Sequence, residues 1–153
     1  MFRGNAFATF DDKGRFKLPA DFRRELSERF GNEVFVTTLT GESALVFPMA
    51  NWKLWESALN DPQEQFNPDF EKVREFLAYY GHATVMDGQG RILVQPLLRK
   101  DAMLDGEEVV VLGLGNYLKL ENRRKFEERL RANPVTRQDL RILSRPNPSK
   151  PNP

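Results

Sequence analysis

Two short segments carry the same reactive side chains at the same spacing. Asp11-Asp12-Lys13-Gly14-Arg15 and Asp87-Gly88-Gln89-Gly90-Arg91 both read Asp-x-x-Gly-Arg, and their aspartates and arginines lie 76 residues apart. An aspartate ahead of a glycine suits a turn, where its carboxylate accepts from backbone amides or pairs with an arginine across the loop. Asp11 and Asp87 are read as structural in this sense, and Gly14 and Gly90 as positions that need a positive φ. Arg15 and Arg91 have a second use open to them. Each would leave a loop at the start of a strand, with a planar fork of donors suited to phosphate and to guanine. Around the first segment stand Arg3, Lys13, Lys17, Arg23 and Arg24, opposed only by Asp11, Asp12 and Asp21. Lys17 alternates with Phe16 and Leu18 and is predicted to point outward. For any single lysine here the alternative is a solvated charged face.

Catalytic constellations are missing from the inventory. The chain has one histidine, His82, and no cysteine, so neither a thiolate site nor a tight zinc ligand set can be assembled. No G-x-S-x-G is present, and a serine triad has no support. Gly113-Leu114-Gly115 opens like a dinucleotide fingerprint, but no third glycine follows and the next residues suit a strand, so it reads as a hairpin turn. Asp11-Asp12 could be an acid and base pair, yet turn formation accounts for it more simply. The reading is a non-enzyme without cofactor, metal or small-molecule substrate.

The elements that must position the two loops repeat with them. Arg23-Arg24 is echoed by Arg99-Lys100 at the same offset, and Gly31–Val36 by Gly106–Val111 at an offset of 75. Each unit predicts a strand (Asn5–Phe10, His82–Met86), the glycine loop, a second strand (Arg15–Leu18, Arg91–Val94), and a helix opened by Pro19 or Pro96. In the first unit Phe22, Leu26 and Phe30 share one face of that helix. A hairpin closes each unit: Glu33–Thr38 with Ser43–Phe47, and Glu107–Leu112 with Tyr117–Leu120. Two helices link the units, one over about 51–59 and one opening at Asn67-Pro68. A further helix covers Arg123–Leu130, and Thr136 and Asp139 form a capping box for a last short one. The proline-rich residues 146–153 are expected to be disordered. The divisions are thus 1–50, 51–80, 81–124, 125–145 and 146–153. One unit of four short strands is too small to bury its own apolar face. The repeat therefore predicts an α+β fold in which the two units pack as an intramolecular pseudo-dimer of hairpins, with helices outside.

Length and charge are compatible with this. The chain has 153 residues, 40% of them hydrophobic, and a net charge of +1. That balance speaks against a strongly basic protein but permits a local basic face. Residues 1–76 are net −3 and residues 77–153 net +4, the surplus being carried largely by arginines from Arg123 onward. Apolar runs such as Val109–Leu112 are far too short to span a membrane, and the N-terminus lacks the pattern of a signal peptide, so a soluble cytoplasmic protein is expected, with no membrane partner.

These residues resemble a known family. Asp11 to Pro19 followed by Arg23-Arg24 is similar to the DNA-binding half of the AbrB-like swapped-hairpin domain. The duplicated form, opening Met1-Phe2-Arg3-Gly4 and returning at Gly81-His82-Ala83, Met86 to Arg91 and Pro96 to Arg99, resembles the MraZ family of bacterial transcriptional regulators. The resemblance covers roughly residues 1–130. It implies two AbrB-like modules forming a pseudo-dimer barrel, and a ring-shaped homo-oligomer in the cytoplasm and nucleoid. The expected partner is double-stranded DNA, at direct repeats upstream of the division and cell-wall gene cluster that contains the family member's own gene. Carried over by position, Arg15 and Arg91 are the motif arginines, Asp11 and Asp87 their partners, and Arg23 and Arg24 the basic pair. Arg99 and Lys100 hold the equivalent place in the second copy, where Gln89 and Leu93 replace Lys13 and Lys17, so the first copy should dominate DNA contact. The alternative is a protein-interaction module, antitoxin-like or a scaffold, using Phe16 and the aromatic connector as its surface.

Overall fold

Short runs, some alternating apolar with polar side chains and two, at Ala44–Phe47 and Val109–Leu112, continuously apolar, form eight strands, and the computed structural model describes them, with five α-helices, over residues 1–145. The strands are β1 (Asn5–Ala8), β2 (Arg15–Lys17), β3 (Glu33–Thr37), β4 (Ser43–Pro48), β5 (His82–Val85), β6 (Arg91–Leu93), β7 (Val109–Gly113) and β8 (Leu118–Asn122). The helices are α1 (Ala20–Glu25), α2 (Met49–Leu59), α3 (Pro68–Tyr80), α4 (Pro96–Asp101) and α5 (Arg123–Ala132). The tail expected to be disordered, 146–153, lies outside the described residues. All strand pairs are antiparallel and the fold class is α+β.

Most local expectations are met, with small shifts that have physical reasons. Pro96 opens α4 as its first residue, whereas Pro19 sits one place earlier and caps α1. The helix after Pro19 runs on as a wider π-helical turn, Leu26–Phe30, which brings Leu26 into the core and packs Phe30 against it. β1 ends at Ala8, and Phe10 makes only an isolated bridge to Phe16. Asn67 caps α3 through the Asp69 amide, 3.0 Å away. Thr136 and Asp139 form the reciprocal box: the Thr136 amide donates to Asp139 Oδ2 at 2.9 Å, and the Asp139 amide to Thr136 Oγ1 at 3.2 Å.

Pairing joins the two halves of the chain. Only β3–β4 and β7–β8 are hairpins of adjacent strands among the described residues. Every other ladder crosses between halves: β1 with β7, β3 with β5, β4 with β8, and β2 with β6. The result is a six-stranded sheet in the order β1-β7-β8-β4-β3-β5 and a separate two-stranded ribbon, β2-β6. Registers repeat about an approximate twofold. Phe16 faces its own repeat mate Ile92 at the ribbon's centre. Ala6 faces Val111 just as its counterpart His82 faces Val36.

The main core draws on both halves in matched pairs: Phe16 and Ile92, Leu18 and Val94, Phe22 and Leu98, Val34 and Val109, Val36 and Val111. Each such side chain contributes about 1.5–3 kcal/mol on burial, and in each pair the partner comes from the other half. β4 is buried along its whole length because both sheet faces are covered. Ala44 and Val46 face the main core, while Leu45 and Phe47 face Trp52 and Leu77 of α2 and α3. Trp52 stacks on Phe35 at 4.3 Å between ring centres. Beyond β8, α5 is fastened by the Asn122 cap and by Arg129 on the buried carboxylate of Glu121.

Candidate nucleic-acid interface

The two Asp-x-x-Gly-Arg loops are built alike, atom for atom. In the first, Asp11 Oδ1 accepts from the amides of Lys13 and Arg15, both at 2.9 Å, and Oδ2 accepts from Arg15 Nε at 3.0 Å. In the second, Asp87 Oδ1 accepts from the amides of Gln89 and Arg91, both at 2.9 Å, and Oδ2 from Arg91 Nε at 2.8 Å. Each loop is closed by backbone hydrogen bonds from Asp11 to Arg15 and from Asp87 to Arg91, at 2.8 and 3.0 Å. The glycines take φ of +80° at Gly14 and +78° at Gly90, the left-handed region that side chains disfavour. The Arg91 amide, with the Arg91 guanidinium and the Gln89 amide, lowers the Asp87 carboxyl to about 2 against the opposing effect of burial. The Arg15 amide first, then the Lys13 amide and the Arg15 guanidinium, lower Asp11 in the same direction.

The fold then sets the loops side by side. The Leu18 amide donates to Gly90 O at 2.7 Å, and its mate, the Val94 amide, to Gly14 O at 3.0 Å. Arg15 Nη1 lies 3.9 Å from Asp87 Oδ2, across the twofold. Phe16 and Ile92 are fully buried. Strand alternation therefore puts Arg15, Lys17, Arg91 and Leu93 on the outer face of the ribbon. Each guanidinium is held through Nε, and neither donates a hydrogen bond from its Nη atoms to a described residue. The carboxylates thus fix both forks through Nε, leaving the Nη atoms without hydrogen bonds to described residues, with Arg15 Nη1 within ion-pair distance of Asp87.

The remaining basic residues go to different places. Lys13 is exposed at the loop, and Lys17 is exposed on the ribbon as expected. Arg24 is exposed on α1 and pairs with Asp21 at 3.0 Å. Arg23 crosses to the second loop, where its Nη2 donates to Gly88 O at 2.6 Å. Arg3 stands at the far end of β1, beside Phe2 and Gly115, which exchange backbone hydrogen bonds. It is not brought to the ribbon. Much of the C-terminal arginine surplus is paired on or near α5: Arg123 with Glu108 and Glu127, Arg124 with Glu107 and Glu128, Arg129 with Glu121. Arg123 also covers the Phe7 ring of β1 at 3.8 Å.

Two features correct or extend the sequence reading. Phe16 offers no partner surface, because it is a central core residue. Arg99, read only as the echo of Arg23, is packed against the first loop: a Cβ on Gly14 would lie 2.6 Å from its Nη2. The signal was present in the shared offset of 76 between Arg23 and Arg99 and between Gly14 and Gly90. Among the described residues no group of three or more His, Asp or Glu could hold a metal ion, and no helix is long and apolar enough to cross a membrane.

Comparison with known proteins finds relatives over most of the chain. The family model described as "MraZ protein, putative antitoxin-like" matches residues 1–71 and 80–145. The chain is 38% identical over 144 residues to the transcriptional regulator MraZ of Acidobacterium capsulatum, covering 94% of this chain and 97% of the relative. It is 40% identical over 145 residues to that of Koribacter versatilis, with the same coverage. To that of Thiobacillus denitrificans it is 36% identical over 127 residues, 83% of this chain and 84% of the relative.

Proposed function

The chain belongs to the MraZ family, and on that premise we propose that it is a sequence-specific DNA-binding transcriptional regulator whose reading element is the β2–β6 ribbon. The observation that carries this reading is the outward face of the ribbon, with Arg15, Lys17 and Arg91 on a two-stranded support. The major groove of B-DNA admits a two-stranded ribbon, and an arginine fork matches the guanine edge. Lys13 and Lys17 supply phosphate contacts that set register, and Arg15 reads a base, with Arg91 as its weaker counterpart. Asp11 and Asp87, with Gly14 and Gly90, hold the forks. Arg24 borders the ribbon on α1, Arg23 reaches the DNA side only through the second loop, and Arg3, at the far end of β1, stays away from the ribbon.

The finer picture follows the family resemblance. Residues 1–50 and 81–124 act as AbrB-like swapped-hairpin modules closed into one pseudo-dimer barrel, with 51–80 as connector and 125–145 as C-terminal helices. The target is a set of direct repeats at the promoter of the division and cell-wall cluster that includes its own gene, on the nucleoid. Binding occurs as a ring-shaped homo-oligomer. One ribbon with a few cations binds weakly, and joining several copies raises the effective concentration of each later contact. A chain of net charge +1 can thereby hold DNA.

Selection of bound sequences from a random DNA pool, with the mass of the assembly measured alongside, tests both levels. Recovery of a short repeated motif is expected, and affinity for it should fall steeply with salt. No enriched motif would remove the reading. A second reading, a protein-interaction module, draws on the exposed side chains of Leu54, Trp55, Phe66 and Tyr79 on and around α2 and α3. Capture of a specific protein partner without any DNA enrichment would favour it.

A further inference from the structure

We propose that Arg99 is a positioning residue for the first DNA-reading loop, acting from the opposite half of the chain and held in that task by Asp105. This rests on the ribbon being the reading element. Arg99 lies on α4 and its side chain is 14% exposed, against 25% for Arg15. Its Nε donates to Val94 O at 2.8 Å, and its Nη1 donates to both carboxylate oxygens of Asp105, at 2.8 and 2.7 Å. Nη2 rests over Gly14, in the space that a Cβ would fill at 2.6 Å. The Val94 amide in turn donates to Gly14 O. The chain of contacts therefore runs from Asp105 through Arg99 to both sides of the Gly14 turn.

Three features separate positioning from DNA contact. The positive charge is already met by Asp105, leaving little for a phosphate. Two of the guanidinium's nitrogens are committed to Val94 and Asp105. The arrangement also recurs at the repeat-equivalent residue. Arg23 passes over Gly90, its Cδ 2.8 Å from where a Cβ would stand, and bonds Gly88 O. A geometry reproduced at both copies on both glycines belongs to the way the loops are held. Each loop is fastened by a helix of the other half, so the two loops move as one body. Lysine cannot reproduce the fork that joins Val94 and Asp105.

The test uses the full chain with Arg99→Lys, Arg99→Ala and Asp105→Asn. Two quantities are read: amide hydrogen exchange residue by residue, and salt-dependent affinity for the selected DNA. In Arg99→Lys, exchange at Gly14, Arg15 and Val94 should rise roughly tenfold, while Val36 and Val46 in the main sheet stay unchanged. DNA affinity should fall roughly tenfold with an unchanged salt slope. Asp105→Asn removes a negative charge, so simple electrostatics would tighten binding, whereas positioning requires that it weaken. The proposal is overturned by unchanged loop exchange, or by exchange rising equally at Val36 and Val46. It is also overturned by a salt slope shallower by about 0.9 in Arg99→Ala, or by tighter binding in Asp105→Asn. If the chain enriches no DNA, the exchange measurement still decides the positioning role, and only the reading of the ribbon fails.

Discussion

The loops at Asp11–Arg15 and Asp87–Arg91 share a frame and differ in charge. Their carboxylates accept the same backbone amides, and their glycines differ by 2° in φ. Around that frame the first loop offers Lys13 and Lys17, where the second has Gln89 and Leu93. Their fastenings differ as well. Arg99 on the first loop is anchored by Val94 and Asp105, whereas Arg23 on the second makes a single bond to Gly88 O. Duplication has kept the bonds that close each loop and varied both the charges around it and the arginine that fastens it. Neither the frame nor the charge alone identifies a reading loop. The proposed reading needs a well-held fork with cations beside it, and the first loop has both.

The contrast can be broken most sharply at the arginines. Arg15→Ala should weaken binding to the selected DNA by about a hundredfold and Arg91→Ala by about tenfold, the range that loss of a bidentate base contact spans. Titration by fluorescence anisotropy reads both, and equal losses would erase the asymmetry. The glycines come next. Gly14→Ala should cost about 1–2 kcal/mol for the left-handed backbone alone, plus displacement of the anchored Arg99. Gly90→Ala should cost less, because Arg23 can swing aside more easily. Urea unfolding measures the difference. Equalising the charge should then narrow the gap in DNA binding. Gln89→Lys with Leu93→Lys should steepen the salt slope by about 1.8, seen in affinity measured from low to moderate salt.

The smallest effect concerns acid. A carboxylate whose folded-state pKa is lowered contributes stability that is complete above its unfolded value of about 3.9. That contribution is lost as the pH falls through the folded value, which is about 2 for Asp87. The second loop should therefore keep its full carboxylate contribution down to about pH 4 and lose it progressively as the pH falls towards 2, and the first loop should weaken in the same direction. Carbon-13 titration of the aspartate carboxyls checks this, and a midpoint near 4 for Asp87 would show that its amide bonds are not made in solution.

What was legible in the chain was what depends on neighbours in sequence. The Asp–Arg pairing, the positive φ at Gly14 and Gly90, the Asn67 cap and the Thr136–Asp139 box all close within a few residues, so residue type and spacing determine them. The choice of strand partner did not follow in the same way. Nothing local tells β1 to leave its neighbour β2 and pair with β7. That follows only from where the whole apolar surface can be buried. The position of Arg99 depends on the same long-range packing. The repeat also runs further than its motif suggests. α2 and α5 each follow directly on a hairpin, with Trp52 and Phe126 at the same turn of each, but Met49-Ala50-Asn51 and Arg123-Arg124-Lys125 disguise the likeness.

The crossing of β1 and β2 to the second half has a consequence for synthesis. As the chain leaves the ribosome, these strands emerge well before their ladder partners, which among the described residues are β7 and β6, ending at Gly113 and Leu93. Until those residues have been made, the ribbon has no second strand and Gly14 has no amide from Val94. Domains otherwise tend to form from the N-terminus as they emerge. Here a chain cut short before Leu93 holds the cations of the first loop without the strand that pairs with theirs, so the ribbon forms only after Leu93 has been made.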